Sequence, residues 1–166
     1  MNSAQEIISG LGLQKHPEGG YFKELYRSAE IYQKDHLPER FNGDRSFCTS
    51  IYYLLEGNDF SAFHRILADE IWHFYTGSPI LIYTLSRQNG LKQFLLGSDI
   101  SAGQIPQFAI PKNTWFAAKC ANISNFSLVG CTVSPGFDFA DFTLADQNDL
   151  IKEFPLEEAI IKKMTR

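Results

Sequence analysis

Apolar and polar residues alternate in short blocks through the middle of the chain, and most blocks end in a cluster of turn formers. Residues 47–55 run into Glu56-Gly57-Asn58-Asp59, and 62–67 into Ala68-Asp69. Residues 70–75 run into Thr76-Gly77-Ser78-Pro79, and 80–85 towards Gln88-Asn89-Gly90. Segments 91–96, 107–110, 115–119 and 126–133 continue the pattern, and an earlier extended run covers 21–27. Blocks of this length and spacing predict about eight strands in an all-β sandwich or barrel. Tight glycine turns and the Asn89-Gly90 hairpin signal make the pairing antiparallel. The ends differ. Ser3 and Glu6 form a capping-box pattern ahead of an Ile7, Ile8, Leu11 stripe, and Gly12 stops that helix. Residues 144–151 and 156–164 carry helical spacing, with Pro155 opening the second. His16-Pro17-Glu18-Gly19-Gly20 reads as a turn, and residues 28–44 as a polar surface loop.

Composition agrees with a β protein. The 166 residues include 14 Phe, 7 Tyr and 2 Trp, which favour pleated, half-buried surfaces. The length suits one domain, residues 1–166, able to fold without staples. A net charge of −4 with no basic stripe argues against nucleic acid and against anionic membranes as partners. Cys48, Cys120 and Cys131 are odd in number and lack CxxC spacing, as expected of free thiols in a reducing compartment. Met1 to Gly10 lack signal-peptide character and no apolar run is long enough to span a bilayer, so the expected location is cytoplasmic.

Candidate chemistry concentrates between Gly57 and Gly77. His64 ends one strand and Glu70 begins the next. Strand alternation puts His64 and Ile66 on one face, and Glu70, Trp72 and Phe74 on one face of the following strand. A short connection between the strands would let a hairpin bring the Glu70 carboxylate against the His64 imidazole. That pairing would make a base and its orienter for proton transfer. Arg27 and Arg45 are candidate clamps for an anionic group. Tyr52 and Tyr83, from a set that also includes Tyr21, Tyr26 and Tyr53, are candidate acids or sugar-stacking rings. Asp138, after Ser134-Pro135-Gly136, is a candidate at the barrel rim. Trp72 and Trp115 read as core or interface anchors, His73 as facing the opposite way from Glu70, and Asp141 and Asp146 as caps of the C-terminal helices.

The same segment resembles the first cupin motif, Gly-x5-His-x-His-x3,4-Glu-x6-Gly. Gly57, His64, Glu70 and Gly77 fall into place with one extra residue after Gly57, and Ile66 stands where the second histidine would be. The second motif is weaker: Pro111 fits, Asn113 replaces its glycine and Phe116 its histidine. Four segments resemble the Cupin 5 family more closely: 16–21, 51–55, 64–72 and 129–139. The resemblance implies a double-stranded β-helix with short terminal helices, assembled as a homodimer to which strand 21–27 could contribute. Cupins commonly hold a metal with three histidines and a glutamate. Only His64 and Glu70 of that set are present, so no metal or other cofactor is expected. A distant similarity to dTDP-4-dehydrorhamnose 3,5-epimerase implies a barrel histidine acting as general base without metal, a role that His64 matches by motif position.

These observations converge on a barrel site for a small polar metabolite, with carbohydrate-derived compounds as the candidate class. The first functional expectation is a metal-independent epimerase or isomerase with His64 as base and Glu70 as its orienter. Two alternatives stand beside it: a non-catalytic metabolite-binding cupin, and a metal-dependent dioxygenase or isomerase with an altered ligand set.

Overall fold

The computed structural model describes residues 3–166. In chain order its elements are α1 (Ala4–Leu11), β1 (Gln14–Lys15), β2 (Tyr21–Arg27), β3 (Ile31–Tyr32), β4 (Arg45–Ser46), β5 (Thr49–Glu56) and β6 (Phe60–Ile66). They continue with β7 (Asp69–Gly77), β8 (Ile80–Ser86), β9 (Gly90–Leu96), β10 (Gln107–Ile110), β11 (Trp115–Cys120), β12 (Phe126–Ser134) and β13 (Phe142–Leu144). Two helices close the chain, α2 (Gln147–Glu153) and α3 (Glu158–Lys163). One sheet has the order β1-β2-β5-β12-β7-β10 and the other β13-β6-β11-β8-β9, with β3 and β4 as a separate ribbon. The strand pairs within these sheets are antiparallel, as the turn chemistry predicted.

Inward-facing residues of the two sheets meet in one core: Tyr53 and Leu55, Trp72, Ile80 and Ile82, Phe116, and Val129 and Cys131. Alternation explains this, since every second residue of each strand reaches the same face. The outer face of the five-stranded sheet is covered by the chain's end, where Phe63, Tyr83, Leu85 and Trp115 pack on Leu150, Ile161 and Met164. Helix α1 covers part of the other sheet through Ile7 and Ile8 against Leu54 and Leu128. Its capping box and its left-handed Gly12 stop are both present, and Asp146 caps α2.

Three expectations are corrected. The connection after β6 is not a hairpin turn: β6 belongs to one sheet and β7 to the other, so residues 67–68 turn a corner between sheets. Residues 28–44 are not only surface loop. Phe41 is fully buried among Ile66, Ala68 and Val133, beside the β3–β4 ribbon. Asp141 does not cap a C-terminal helix. It is buried and takes two hydrogen bonds from the equally buried Arg45, Nε to Oδ2 at 2.7 Å and Nη2 to Oδ1 at 2.5 Å. Arg45 also donates to the Asp44 carbonyl and to Asn42 Oδ1, so four of its five N–H donors are taken by structure.

This bond ties the 28–44 excursion to the segment before β13. Asp141→Ala would leave a buried guanidinium without its counter-charge, a loss of about 3–5 kcal/mol. Urea unfolding should therefore show a strongly lowered midpoint with an unchanged denaturant slope, whereas a midpoint within error of the wild type would show the pair to be dispensable.

Candidate active site

Between the sheets lies a cavity of about 260 Å³ whose closed end is lined by Glu18, Tyr53, His64, Glu70, Trp72 and Cys131. His64 comes from β6 and Glu70 and Trp72 from β7, on the faces that alternation assigned. Glu18 arrives from the turn before β2. Gly19 and Gly20 make that turn possible, with φ of 115° and 68°. A side chain at Gly19 would strike the Phe60 carbonyl at 2.0 Å, so only glycine permits this approach of the turn to β6.

His64 is not paired with Glu70. Its Nε2 is 3.0 Å from Glu18 Oε2, and its Nδ1 is 2.8 Å from the Ala62 carbonyl. The inter-sheet corner is the physical reason: it separates β6 from β7 and leaves the His64 ring to the turn that folds against β6. A carbonyl can only accept, so Nδ1 carries a proton and Nε2 offers its lone pair. One proton must then lie between Nε2 and Glu18. Burial lowers His64 to a pKa of about 4 and raises Glu18, so that proton sits on the carboxyl. Glu18 Oε1 accepts from the Ser61 hydroxyl at 2.9 Å. His16 stands beside the pair, its Nδ1 accepting from the Glu18 amide at 3.3 Å.

Glu70 is a separate centre. It is 8% exposed, and burial, reinforced by the nearby Glu18, raises its pKa to about 8. It is therefore mostly a neutral carboxylic acid at pH 7, able to donate a hydrogen bond. The Cys131 thiol beside it is also held protonated by burial. The Trp72 indole N–H, on the same strand face, is buried beside the Glu70 carboxyl and partly offsets the effect of burial on it.

The remaining candidates divide. Arg27 and Asp138 line the cavity near its open end. Arg27 is already held by Glu24 through two bonds of 3.0 and 2.7 Å, and Asp138 accepts from the Ala140 amide. Arg45 does not reach the cavity, because Asp141 holds it elsewhere. Tyr52 and Tyr83 do not reach it either. Tyr52 faces the α1 side and Tyr83 packs against the C-terminal helices, whereas Tyr53, one residue on, faces the cavity and donates to the Gly19 carbonyl. His73 faces away and meets Thr132 Oγ1 at 3.2 Å. Glu18 and the rings of Phe22, Phe137, Phe139 and Phe142 carried no sequence signal that singled them out as site residues. The nearest clue to Glu18 was an acidic residue directly before two adjacent glycines.

The residues present do not fit a resident metal. Phe116 stands opposite His64, with ring centroids 4.0 Å apart, Ile66 is apolar, and both nitrogens of His64 are engaged. Among the described residues no group of three or more His, Cys, Asp or Glu side chains has metal-binding geometry.

Comparison with known proteins follows the same lines. The family model for Cupin 5, described as cupin superfamily (DUF985), matches residues 5–145. A solved structure of a Shewanella oneidensis protein is 38% identical with a TM-score of 0.90, covering 100% of this chain and 99% of that one. A hypothetical protein from Leishmania major is 32% identical with a TM-score of 0.88, covering 99% of both chains. An uncharacterized protein of Saccharomyces cerevisiae is 31% identical over 163 residues, 91% of this chain and 79% of the relative.

Glu70 makes stability depend on pH in a defined direction. Between its ordinary value of 4.5 and about 8, the unfolded chain ionises Glu70 while the folded protein keeps it protonated, so stability falls as pH rises through this window and levels off above it. Glu70→Gln removes this dependence. Its stability relative to the wild type should grow between pH 5 and pH 8 in paired denaturant titrations, and a constant difference would refute the raised pKa.

Proposed function

The chain belongs to the Cupin 5 family, and on that premise we propose that its barrel binds a small polar metabolite, carbohydrate-derived in chemistry, and moves a proton next to a carbonyl. The observation that carries this reading is the 3.0 Å contact between His64 Nε2 and the buried Glu18 carboxyl, in one cavity with a second buried carboxyl, Glu70. Two titratable centres pushed to different protonation states by one apolar environment are what an acid–base pair requires. Glu18 takes the substrate proton while its own proton passes to His64 Nε2, leaving an imidazolium whose Nδ1–H remains on the Ala62 carbonyl. His64 is thus the final base, as the motif position implied, with Glu18 rather than Glu70 as its partner. The electron pair of the broken C–H bond moves to the carbonyl oxygen, where the Glu70 O–H can donate. Return of a proton to the opposite face gives an epimer, and return to the neighbouring carbon gives an isomer. No step needs a metal.

A second reading, a binding pocket without turnover, is favoured by one observation: both nitrogens of His64 and the hydroxyl of Tyr53 are already satisfied within the protein. Deuterium separates the two. Sugars and nucleotide sugars are incubated with the protein in D2O and followed by NMR for exchange at the carbon beside the carbonyl. The expected result is enzyme-dependent exchange that falls at least ~100-fold in Glu18→Gln, which keeps a donor to Nε2 but cannot relay a proton. Saturable binding with no exchange in the wild type would give the site to the second reading.

We also propose a homodimer. β1 pairs with only Tyr21 and Phe22, so the outer edge of β2 is open from Lys23 onward, where Leu25 and Tyr26 are 58% and 54% exposed. An open edge with exposed apolar groups favours strand addition by a second copy. Sedimentation velocity should give twice the monomer mass, and Leu25→Pro should give the monomer; a monomeric wild type would overturn this. No helix among the described residues is long and apolar enough to cross a membrane. The expectation of a cytoplasmic location is retained on the three free thiols.

A further inference from the structure

The open end of the cavity is unbalanced in charge. Two arginines lie there or just behind it, and three carboxylates surround them. Glu24 holds Arg27, Asp141 holds Arg45, and Asp138 lies near both guanidiniums without a salt bridge of its own. Among the described residues that line the cavity, Arg27 is the single lysine or arginine, and its Nε and Nη2 are held by Glu24 and the Phe137 carbonyl. An anionic ligand would find an arginine whose charge Glu24 already balances, and would meet Asp138.

The rings that run from the closed end of the cavity to its rim add a second observation. His16 lies 4.7 Å from Phe22 and 6.1 Å from both Phe139 and Phe142, and Phe137 lies 5.0 Å from Phe139. All five line the cavity, and Phe139 is 54% exposed at its rim. Aromatic rings with a surplus carboxylate form the environment that organic ammonium ions seek. At the closed end the Glu70 carboxyl is the polar side chain left to meet an oxygen of the ligand, with the Trp72 indole N–H behind it.

We propose that the ligand is a small organic cation of the amino-alcohol or amino-carbonyl class. Its ammonium lies among Phe22, Phe137, Phe139, Phe142 and Asp138, and its oxygen lies against the Glu70 carboxyl. The inference rests on the cavity being a metabolite site, as read above, and not on whether that site turns its ligand over.

Three probes of nearly equal shape test it: choline, the neutral alcohol with a tert-butyl group in place of trimethylammonium, and tert-butylacetate. Binding to the full chain is measured by calorimetry. Choline should bind roughly tenfold tighter than the neutral alcohol, and the carboxylate should bind weakest. Asp138→Asn, which can still accept from the Ala140 amide, should cut the affinity for choline severalfold and leave the alcohol unchanged. Phe139→Ala, at an exposed rim position, should lower the preference for choline as well. Equal binding of choline and the alcohol, or preference for the carboxylate, would overturn the inference while leaving the cavity a metabolite site. Binding of a sugar but of none of the three probes would overturn it too, and would leave the proposed function standing. Failure of every probe and every sugar would overturn both.

Discussion

The buried carboxyl of Glu18 is the constraint around which the rest of the site is arranged. A carboxylate alone between two sheets of aromatic and aliphatic residues would be unstable there, so it survives by holding its proton against His64 Nε2 and by accepting from Ser61. That solution fixes several other residues. His64 must keep its Nδ1–H on Ala62 so that Nε2 remains an acceptor. The turn bearing Glu18 must lie against β6, which requires glycine at position 19. Asp59 holds the next amide of that turn, at Gly20, and Arg166 clamps Asp59, the Phe60 carbonyl and the Glu18 carbonyl together. The proton at the centre of the cavity is therefore positioned by contacts that reach from residue 16 to residue 166.

Much of the fold was legible because its signals are local. Alternation within 70–75 assigned faces correctly, and residues 107–110 and 21–27 have the predicted limits. The missed strands β1, β3, β4 and β13 are two or three residues long, too short to show a period. The site was legible only in part, because its decisive contacts are long-range. Nothing within the 57–77 segment says that β6 and β7 lie in different sheets, and a hairpin reading pairs the wrong carboxylate with His64. The choice of Tyr52 over Tyr53 was a face reversal of one residue, which sequence alternation cannot resolve without an anchor. Arg45 failed for a different reason. Its partner Asp141 is 96 residues away, and a buried ion pair leaves no local pattern.

The two arginines illustrate how structure can remove a function that composition suggests. Bidentate guanidinium geometry suits a substrate carboxylate or phosphate as well as it suits a protein carboxylate. Here both forks are occupied internally, one to anchor the 28–44 excursion and one to brace the open end of the cavity. The same atoms that would have recognised an anion now set the balance of charge that opposes one. Charge complementarity is decided by what remains after internal pairing, which is why the unpaired Asp138 weighs more at the entrance than either arginine.

The departures from the cupin metal set and the state of the carboxyls form one argument. Ile66 and Phe116 replace groups that would have brought water, charge or a metal ion into the barrel. With Phe116 packed on the His64 ring and Trp72 nearby, the closed end of the cavity becomes a poor solvent for ions. That environment lifts Glu70 to a pKa of about 8 and raises Glu18 as well. A metal would stabilise negative charge on a substrate oxygen by its own charge; a neutral carboxylic acid does so by donating a hydrogen bond. The apolar substitutions thus remove one means of stabilising that charge and create the conditions for the other. On this reading the residues missing from the motif are as much a part of the site as those that are present.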